Sequence, residues 1–223
     1  DDRAALVVGS DRKLNIGAGI ASALREDMAV FEIDRGANFR TMSLGDIDVL
    51  VLANGFSNLN WLEKQSTPDI LQTVNDNLVT SMMATRHFVH QTREMPWLKH
   101  IVFIGSMAHR SILNASSYYC AAKAGLAHFA RCAAWELTPK GYRVFTVHPS
   151  NTQGTPMTEK TIDGIQRYRD ISRGEAEEYW GAINLMPHWL NPANIGEVVD
   201  WLVTCESAQY LSGSDIELKA GQR

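Results

Sequence analysis

Tyr119 and Lys123 are the residues whose types and spacing point most directly to catalysis. They stand at positions i and i+4, which places both side chains on one face of a helix. An ammonium group beside a phenol favours the phenolate and lowers the pKa of the tyrosine, so Tyr119 is expected to exchange a proton with a substrate near neutral pH. This pair alone is a common pattern. The catalytic interpretation is strengthened by Ser106, which follows an apolar run a short distance upstream. Asn77 lies in a long helical pattern before that run.

A glycine-containing loop follows the first apolar run and is a candidate phosphate-binding loop. Residues 9–20 include Gly9, Gly17 and Gly19. Glycines allow the main chain to approach a pyrophosphate, and the N-terminus of the helix that follows favours an anion. The loop is not a clean Gly-x-Gly-x-x-Gly sequence, so an ordinary turn is an equally good interpretation of this segment by itself.

Asp34 directly follows the second apolar run. One helical pattern separates that run from the glycine loop. A carboxylate there accepts hydrogen bonds from both hydroxyls of an adenosine ribose and repels a 2′-phosphate, which favours NAD as the cofactor. The basic residues Arg12, Lys13 and Arg35 suit a 2′-phosphate instead and leave NADP as the alternative. An ordinary acidic residue in a turn is the third interpretation of Asp34.

Short apolar runs alternate with longer helical patterns along the whole chain. This alternation predicts right-handed crossovers and a parallel sheet with helices on both faces. The predicted strands are Ala4–Val8, Ala29–Ile33, Val49–Ala53, Ile101–Ile104, Val144–Val147 and Ile216–Leu218. Such sheets bind ligands at the carboxyl ends of their strands. The residues at those ends are Gly9, Asp34, Asn54, Ser106 and Pro149.

The composition predicts one globular α/β domain over residues 1–223, with 45% hydrophobic residues and a net charge of −4. The charges are interspersed, which argues against nucleic-acid binding, and the apolar runs are too short to cross a membrane. Three scattered cysteines predict reduced thiols and therefore a cytoplasmic protein. No His, Cys and Asp residues have the spacing typical of a metal site, so no metal is expected.

The chain resembles the short-chain dehydrogenase/reductase family over nearly its whole length. The segments that carry the resemblance occur in the family's order. They are the glycine loop, Ile47–Gly55, Asn77–Leu78, Ile101–Ser106, Tyr119–Lys123, His148–Ser150 with Thr155–Met157, and Gly213–Gly221. The resemblance implies a single-domain, Rossmann-type, doubly wound parallel sheet of about six to seven strands with helices on both faces. It also implies an NAD(P)-dependent oxidoreductase that transfers a hydride between the nicotinamide and a secondary alcohol or ketone.

The resemblance assigns roles residue by residue. Asn77, Ser106, Tyr119 and Lys123 correspond to the catalytic tetrad. Tyr119 is expected to exchange the proton, Lys123 to lower its pKa and hold the ribose, Ser106 to stabilise the oxyanion, and Asn77 to position a water. Thr155, or Thr152 in another register, would orient the carboxamide. The expected cofactor-binding residues are Gly9, Asn15, Ile16, Asp34, Ala53, Asn54, Gly55, Tyr119, Lys123, Pro149 and Thr155.

The resemblance further implies a small-molecule substrate, a lid over residues 157–190 and a homodimer or homotetramer. The lid segment has mixed charges followed by aromatic residues, which fits a lid with an apolar underside. When each residue is considered by itself, an amphipathic surface helix is an equally good interpretation. His109, His148 and His188 lie near the expected cleft in sequence and are expected to be structural.

Several positions depart from the family pattern. Asn15 replaces the middle glycine of a loop that is longer than usual, as in enoyl-acyl-carrier reductases, but the tyrosine of that branch would fall at Ser116. Ala53-Asn54 replaces Asn-Ala, so the strand-bracing asparagine is expected to be absent. The segment between Asp34 and Asn54 is much shorter than usual, which predicts a shortened crossover. The alternatives are therefore a non-catalytic dinucleotide-binding regulatory protein and an enoyl reductase.

Overall fold

The computed structural model of the chain describes residues 3–10, 15–34, 41–186 and 189–221. The strands are Ala4–Val8 (β1), Ala29–Ile33 (β2), Val49–Leu52 (β3), Lys99–Ile104 (β4), Tyr142–Pro149 (β5) and Asp215–Leu218 (β6). The helices are Ile16–Leu24 (α1), Thr67–Val74 (α2), Thr80–Thr92 (α3), Ser117–Leu137 (α4), Pro156–Arg169 (α5), Arg173–Gly181 (α6) and Pro192–Thr204 (α7). All neighbouring strands are parallel, in the order β2-β1-β3-β4-β5-β6.

The central strands are buried on both faces, which explains why they read as continuous apolar runs. Every residue of β1, β3 and β4 is buried. Leu6 and Leu50 point into a core that α3 and α4 cover, whereas Val7 and Val51 point into the opposite core beneath α1 and α7. The predicted doubly wound sheet with helices on both faces is therefore confirmed.

The connection between β2 and β3 is short, as the sequence predicts. In the doubly wound order 3-2-1-4-5-6 the second strand has an outer neighbour, but here β2 is the edge strand of the described sheet. Residues 41–48 form no α-helix, and Leu44 and Ile47 pack into the core from this connection. The shortening changes the edge beside β2 and leaves β1, β3 and β4 intact.

Two glycines allow α1 and α7 to pack against each other at main-chain distance. A Cβ atom on Gly19 would lie 2.5 Å from the Pro192 carbonyl oxygen, and one on Gly196 would lie 2.6 Å from the Gly19 carbonyl oxygen. This contact fixes α1, and therefore its N-terminus, against the sheet.

Helices α5 and α6 lie above the carboxyl ends of the strands and share a small apolar cluster of their own. Its buried members are Ile162, Ile165, Ala176 and Trp180. None of the helices in the described ranges is long and apolar enough to span a bilayer.

Candidate active site

A cleft of about 280 Å³ opens at the carboxyl ends of β1, β3, β4 and β5. It brings together most of the residues that the sequence selected. Those that line it are Gly9, Asn15, Ile16, Ala53, Asn54, Gly55, Ser106, Tyr119, Lys123, Pro149 and Thr155. Two predicted site residues, Asp34 and Asn77, are not among its lining residues.

The first loop has the close main-chain packing that the glycines predict. Gly9 has a φ of +86°, and a Cβ atom there would lie 2.8 Å from the Asn54 nitrogen. A Cβ on Gly17 would lie 2.7 Å from the Gly9 carbonyl oxygen. Side chains at these positions would collide with the neighbouring main chain, so the close packing of β1, β3 and α1 requires glycine here.

Asn15 has a clear structural role where the family has a glycine. Its Oδ1 accepts a hydrogen bond of 2.7 Å from the Ala18 N–H and caps α1. Its Nδ2 donates to the Gly9 carbonyl oxygen at 3.0 Å. Asn15 therefore ties the start of α1 to the end of β1 and holds the helix N-terminus at the cleft, where it favours an anion.

Ser106, Tyr119 and Lys123 meet on one wall of the cleft. Ser106 follows β4, and its Oγ accepts a hydrogen bond of 3.2 Å from the Ala108 N–H. Tyr119 lies in the first turn of α4, where its phenol interacts with the Ser106 hydroxyl. Lys123 is one turn further along, with its Nζ 5.9 Å from the centroid of the Tyr119 ring. It donates a hydrogen bond of 3.0 Å to the Ile104 carbonyl oxygen.

The electrostatics of Tyr119 differ from the sequence-based expectation. Burial raises the pKa of Tyr119, and the hydrogen bond with Ser106 only partly opposes this. The expected lowering by Lys123 is wrong for this structure because the ammonium faces the Ile104 carbonyl oxygen and burial dominates. Burial also lowers the pKa of Lys123 to about 8, since its side chain is only 3% exposed.

Asn77 supports the cleft from behind and lies in a π-helical turn, Asn75–Val79, between α2 and α3. Its Nδ2 donates to the carbonyl oxygens of Phe56 and Thr73, at 2.6 and 2.8 Å. A Cβ on Gly55 would lie 3.0 Å from Asn77 Oδ1 and 3.7 Å from Lys123 Nζ. The amide therefore holds the loop after β3, and the expected role in positioning a water stays a prediction.

An asparagine does brace β3, so the expectation that this brace is absent was wrong. Asn54 is buried, and its Nδ2 donates to the Asp76 carbonyl oxygen while its Oδ1 accepts from Ser81 Oγ. The brace has moved one position along the chain. β3 ends at Leu52, which leaves Ala53 at the cleft and Asn54 directed towards the helix.

The end of β2 carries two acidic residues. Asp34 is exposed and directly follows the strand, and this end lies beside the first loop because the Gly9 N–H donates to the Ile33 carbonyl oxygen at 2.8 Å. Glu32, which the sequence analysis missed, accepts a hydrogen bond of 2.6 Å from Ser10 Oγ and pairs with Arg25. Although burial acts to raise the pKa of Glu32, these two partners hold it below its usual value. Arg12, Lys13 and Arg35 lie outside the described residues.

Three hydroxyl side chains follow β5 at the cleft. Thr155 Oγ1 caps α5 by accepting from the Thr158 N–H at 3.1 Å. Thr152 Oγ1 donates to the Ser150 carbonyl oxygen at 3.0 Å. The buried Ser150 Oγ has no hydrogen-bond partner among the described residues, so Ser150 joins the two threonines as a candidate ligand for a polar group.

The upper wall of the cleft is mainly apolar and aromatic. It is formed by Leu59, Ile165, Tyr168, Tyr179, Trp180 and Ile183. Among the described lining residues, the charged ones are Lys123 and Lys160. Lys160 lies over the Phe56 ring, 5.8 Å from its centroid.

Behind Ser106, the fold assembles a cluster that sequence spacing could not reveal. Potential ligand atoms of His109, His148 and Asp215 lie within 4.8 Å of one another. The two imidazole rings are stacked, with centroids 3.8 Å apart and planes 27° apart. A metal ion lies in the plane of each imidazole that binds it, so one ion does not suit both rings. We interpret the cluster as a hydrogen-bonded network. His188 lies outside the described residues.

The comparison with known families decides the relationship. The family model adh_short_C2, described as enoyl-(acyl carrier protein) reductase, matches residues 31–222. The chain belongs to the short-chain dehydrogenase/reductase family. This is a family of NAD(P)-dependent oxidoreductases.

Individual short-chain dehydrogenase/reductase relatives are distant. A 3-oxoacyl-[acyl-carrier-protein] reductase of Bos taurus is 34% identical over 107 residues, which are 48% of this chain and 45% of that protein. The (−)-trans-carveol dehydrogenase of Rhodococcus erythropolis is 28% identical over 202 residues, 85% of this chain and 68% of that enzyme. The chain therefore spans about half to two-thirds of the length of these relatives.

Solved short-chain dehydrogenase/reductase structures confirm the fold. A crystal structure of an actinorhodin polyketide ketoreductase variant with NADPH has a TM-score of 0.88 at 21% identity and covers 99% of this chain and 97% of that one. A 4-hydroxyisoleucine dehydrogenase complexed with NADH has a TM-score of 0.84 at 18% identity, with 99% and 98% covered.

Proposed function

We propose that this protein catalyses reversible hydride transfer between NAD(P) and the carbinol or carbonyl carbon of a small secondary alcohol or ketone. The observation that carries the proposal is the meeting of Ser106, Tyr119 and Lys123 in one cleft with the glycine loop. When bound, the nicotinamide supplies or accepts the hydride. The protein supplies the proton, the orientation of the substrate and the exclusion of water.

Tyr119 is the proposed proton donor. Its raised pKa keeps the phenol protonated at neutral pH, so it is ready to protonate the oxygen of a ketone during reduction. In the reverse direction the phenolate oxygen accepts the proton of the alcohol. Ser106 lies beside Tyr119 and donates a hydrogen bond to the same oxygen as negative charge develops on it.

Lys123 is proposed to hold the ribose next to the nicotinamide. It is buried at the cleft, and its pKa of about 8 leaves it mainly charged at neutral pH. Its Nζ has three hydrogens, and one is used by the Ile104 carbonyl oxygen. The others can bind ribose hydroxyls.

The remaining walls of the cleft fit the other parts of a dinucleotide. Gly9 and the α1 N-terminus at Ile16 form a main-chain cradle for the pyrophosphate. Ser150, with its unpaired hydroxyl, and Thr155 suit the carboxamide. Asp34 directly follows β2 beside the first loop, and we expect its carboxylate to bind the adenosine ribose and to favour NAD over NADP.

The apolar upper wall supports a substrate with a hydrocarbon body. Tyr179, Trp180 and Ile183 from α6 and the residues after it line this wall. The relatives are a carveol dehydrogenase and 3-oxoacyl-carrier reductases by name, so a cyclic ketone and a 3-oxoacyl thioester are suitable probes. We propose that residues 157–190 cover such a substrate as a lid.

The spacing of the tyrosine and lysine supports carbonyl rather than enoyl reduction. Tyr119 and Lys123 are one helical turn apart, whereas Ser116 stands where the enoyl reductase branch has its tyrosine. The non-catalytic alternative is disfavoured because a protein without catalysis has no chemical need for a buried lysine beside a half-buried tyrosine at the cleft.

We also propose a homo-oligomer in the cytoplasm. Trp135 is 86% exposed on α4, and burial of this indole in a dimer or tetramer would remove a large apolar surface from water. Cys120, Cys132 and Cys205 are free thiols, which suits a reducing compartment.

The test is turnover of carvone, acetoacetyl-CoA and crotonyl-CoA with NADH and NADPH, followed by the absorbance of the reduced nicotinamide. We expect ketone reduction that Tyr119→Phe lowers by about 10²–10⁴-fold, with NADH affinity, measured by fluorescence, nearly unchanged. Reduction of crotonyl-CoA alone would establish the enoyl activity instead. Tight NADH binding without turnover of any probe would support the regulatory alternative.

A further inference from the structure

His109 and His148 lie directly behind Ser106 and have no part in the proposed hydride and proton transfer. The His148 side chain is fully buried, and that of His109 is 8% exposed. His148 Nδ1 lies 3.2 Å from the Ser106 main-chain nitrogen and 3.1 Å from its carbonyl oxygen. His109 Nδ1 lies 2.9 Å from the same carbonyl oxygen. Both rings therefore contact the main chain of the residue that carries the Ser106 hydroxyl.

The partners of His148 select one neutral tautomer. Its Nε2 lies 3.0 Å from Asp215 Oδ1, which can only accept a hydrogen bond when ionised. The proton of neutral His148 is therefore on Nε2, and Nδ1 accepts the hydrogen bond from the Ser106 N–H. The Ser106 carbonyl oxygen is left to His109, whose Nδ1 carries a proton and donates to it.

Charged groups lie on both sides of the two rings, in two separate sets. Asp215 also pairs with Arg131 of α4 at 2.6 Å. On the other side, His109 Nε2 lies 3.5 Å from Glu217, which pairs in turn with Arg110 at 2.9 Å. Lys219 is 3.0 Å from the same carboxylate. Burial lowers the pKa of His148, and the charge of His109 acts in the same direction. The hydrogen bond to Asp215 and the contact with the Ser106 carbonyl oxygen act to raise it.

We propose that His148, in its Nε2-protonated neutral form, is a positioning residue that fixes Ser106 for the reaction by accepting a hydrogen bond from the Ser106 N–H. His109 completes the arrangement by holding the Ser106 carbonyl oxygen. This inference rests on the proposed function, since it gives Ser106 a role in the reaction. The ring itself fits only because residue 105 is glycine: a Cβ there would lie 2.6 Å from His148 Cε1.

Protonation of His148 at low pH disrupts this arrangement. An imidazolium has no acceptor atom, so protonated His148 cannot bind the Ser106 N–H. Its new Nδ1–H instead faces the Ser106 carbonyl oxygen at 3.1 Å, which the main-chain N–H and Nδ1 of His109 also contact. We expect this exchange of partners to shift the main chain that carries the hydroxyl, and a displacement of about 1 Å in a reacting group lowers the rate by about 10²-fold.

The first test is made on the cofactor-free protein and requires no turnover. Long-range ¹H–¹⁵N correlation spectra of histidine-labelled protein report the protonated nitrogen of each ring, with signals assigned through His148→Asn and His109→Asn. We expect the proton on Nε2 of His148 and on Nδ1 of His109 at neutral pH. A proton on Nδ1 of His148 would overturn the proposal.

The second test is the pH dependence of kcat for carvone or acetoacetyl-CoA reduction. His148→Leu should lower kcat about 10–100-fold and leave KM for the ketone and Kd for NADH within about twofold. In His148→Asn the amide oxygen takes the place of Nδ1 as acceptor, so kcat should be largely kept. The acid limb, which is the fall of kcat at low pH, should be lost because the amide does not titrate. Asp215→Asn, which removes the charge that favours the imidazolium, should move the acid limb to lower pH.

His100→Asn is the matched control, because His100 is another buried histidine, at the opposite end of β4. It should alter thermal stability without altering the pH–rate profile. An unchanged kcat in His148→Leu, or an unchanged acid limb in His148→Asn, would overturn the positioning role. If His148→Leu does not fold, His148→Asn and the tautomers still decide the matter. Expected tautomers without turnover of any probe would refute the proposed function and leave the tautomer assignment standing.

Discussion

Lys123→Met is expected to stabilise the fold while it removes activity. Burial lowers the pKa of Lys123 from 10.5 to about 8, and a difference of this size corresponds to about 3 kcal/mol at about 1.36 kcal/mol for each pKa unit. Methionine has a similar unbranched shape and carries no charge, so it avoids this penalty. The Ile104 carbonyl oxygen loses its hydrogen bond from Nζ, which costs about 1–2 kcal/mol. The net gain at pH 7 is therefore about 1–2 kcal/mol.

The pH dependence of this difference identifies its origin. At pH 7 Lys123 is charged in both the folded and the unfolded protein, so the whole penalty is present. Between about pH 8 and 10.5 the unfolded lysine keeps its proton while the folded one loses it, so wild-type stability rises with pH in this window. The variant lacks this rise, and its advantage should shrink by about 2–3 kcal/mol between pH 7 and pH 10.

Urea unfolding at the two pH values, followed by the fluorescence of the six tryptophans, measures this difference. Lys140→Met, at an exposed lysine, is the matched control and should change stability by less than about 0.5 kcal/mol. NADH binding and ketone reduction should both weaken in Lys123→Met but not in Lys140→Met. A Lys123→Met protein that is less stable at pH 7, or equally affected at both pH values, would refute the reasoning.

Two further predictions concern the cofactor site. Asp34→Ser should lower the ratio of kcat/KM for NADH to kcat/KM for NADPH by about tenfold or more, because the charge facing a 2′-phosphate is removed. An unchanged ratio would show that Asp34 does not reach the ribose. Gly9→Ala should lose about 1–3 kcal/mol of stability in urea and weaken NADH binding measured by fluorescence, because the residue has a φ of +86° and a Cβ would meet the Asn54 main chain. Gly174→Ala in α6, where a Cβ meets nothing within 4 Å, is its control and should be neutral or slightly stabilising.

The sequence predicted that Ser106, Tyr119 and Lys123 meet because the geometry that joins them is local. Tyr119 and Lys123 are one helical turn apart, and Ser106 follows the end of a strand, so helix periodicity and the rule on strand ends bring them together without further information. The doubly wound sheet followed from the same alternation of elements. The shortened connection after Asp34 was visible in the length of the segment before Asn54.

The electrostatics and the histidine network could not be predicted in this way. The pKa of Tyr119 depends on how much water reaches the phenol and on where Lys123 Nζ points, and the packing of α4 against β4 decides both. His109, His148 and Asp215 are far apart in sequence, and only the parallel pairing of β5 with β6 places His148 near Asp215. Metal-ligand spacing is a poor guide to such a cluster because it considers only neighbours in sequence.

A single buried polar group does not identify a functional site, whereas several such groups around one cleft do. Outside the cleft, His100 Nδ1 is also buried without a partner among the described residues, yet its ring stacks on Phe145 and it does not line the cleft. At the cleft, by contrast, a buried lysine, a half-buried tyrosine and the Ser150 hydroxyl, which has no partner in the part of the chain that the structure describes, surround one space that a ligand can enter. Each of these groups is unfavourable by itself, because burial without full hydrogen bonding destabilises a polar group. Their concentration at the carboxyl ends of four parallel strands is explained if a bound cofactor and substrate supply the missing partners, which is why Lys123→Met should gain stability and lose function together.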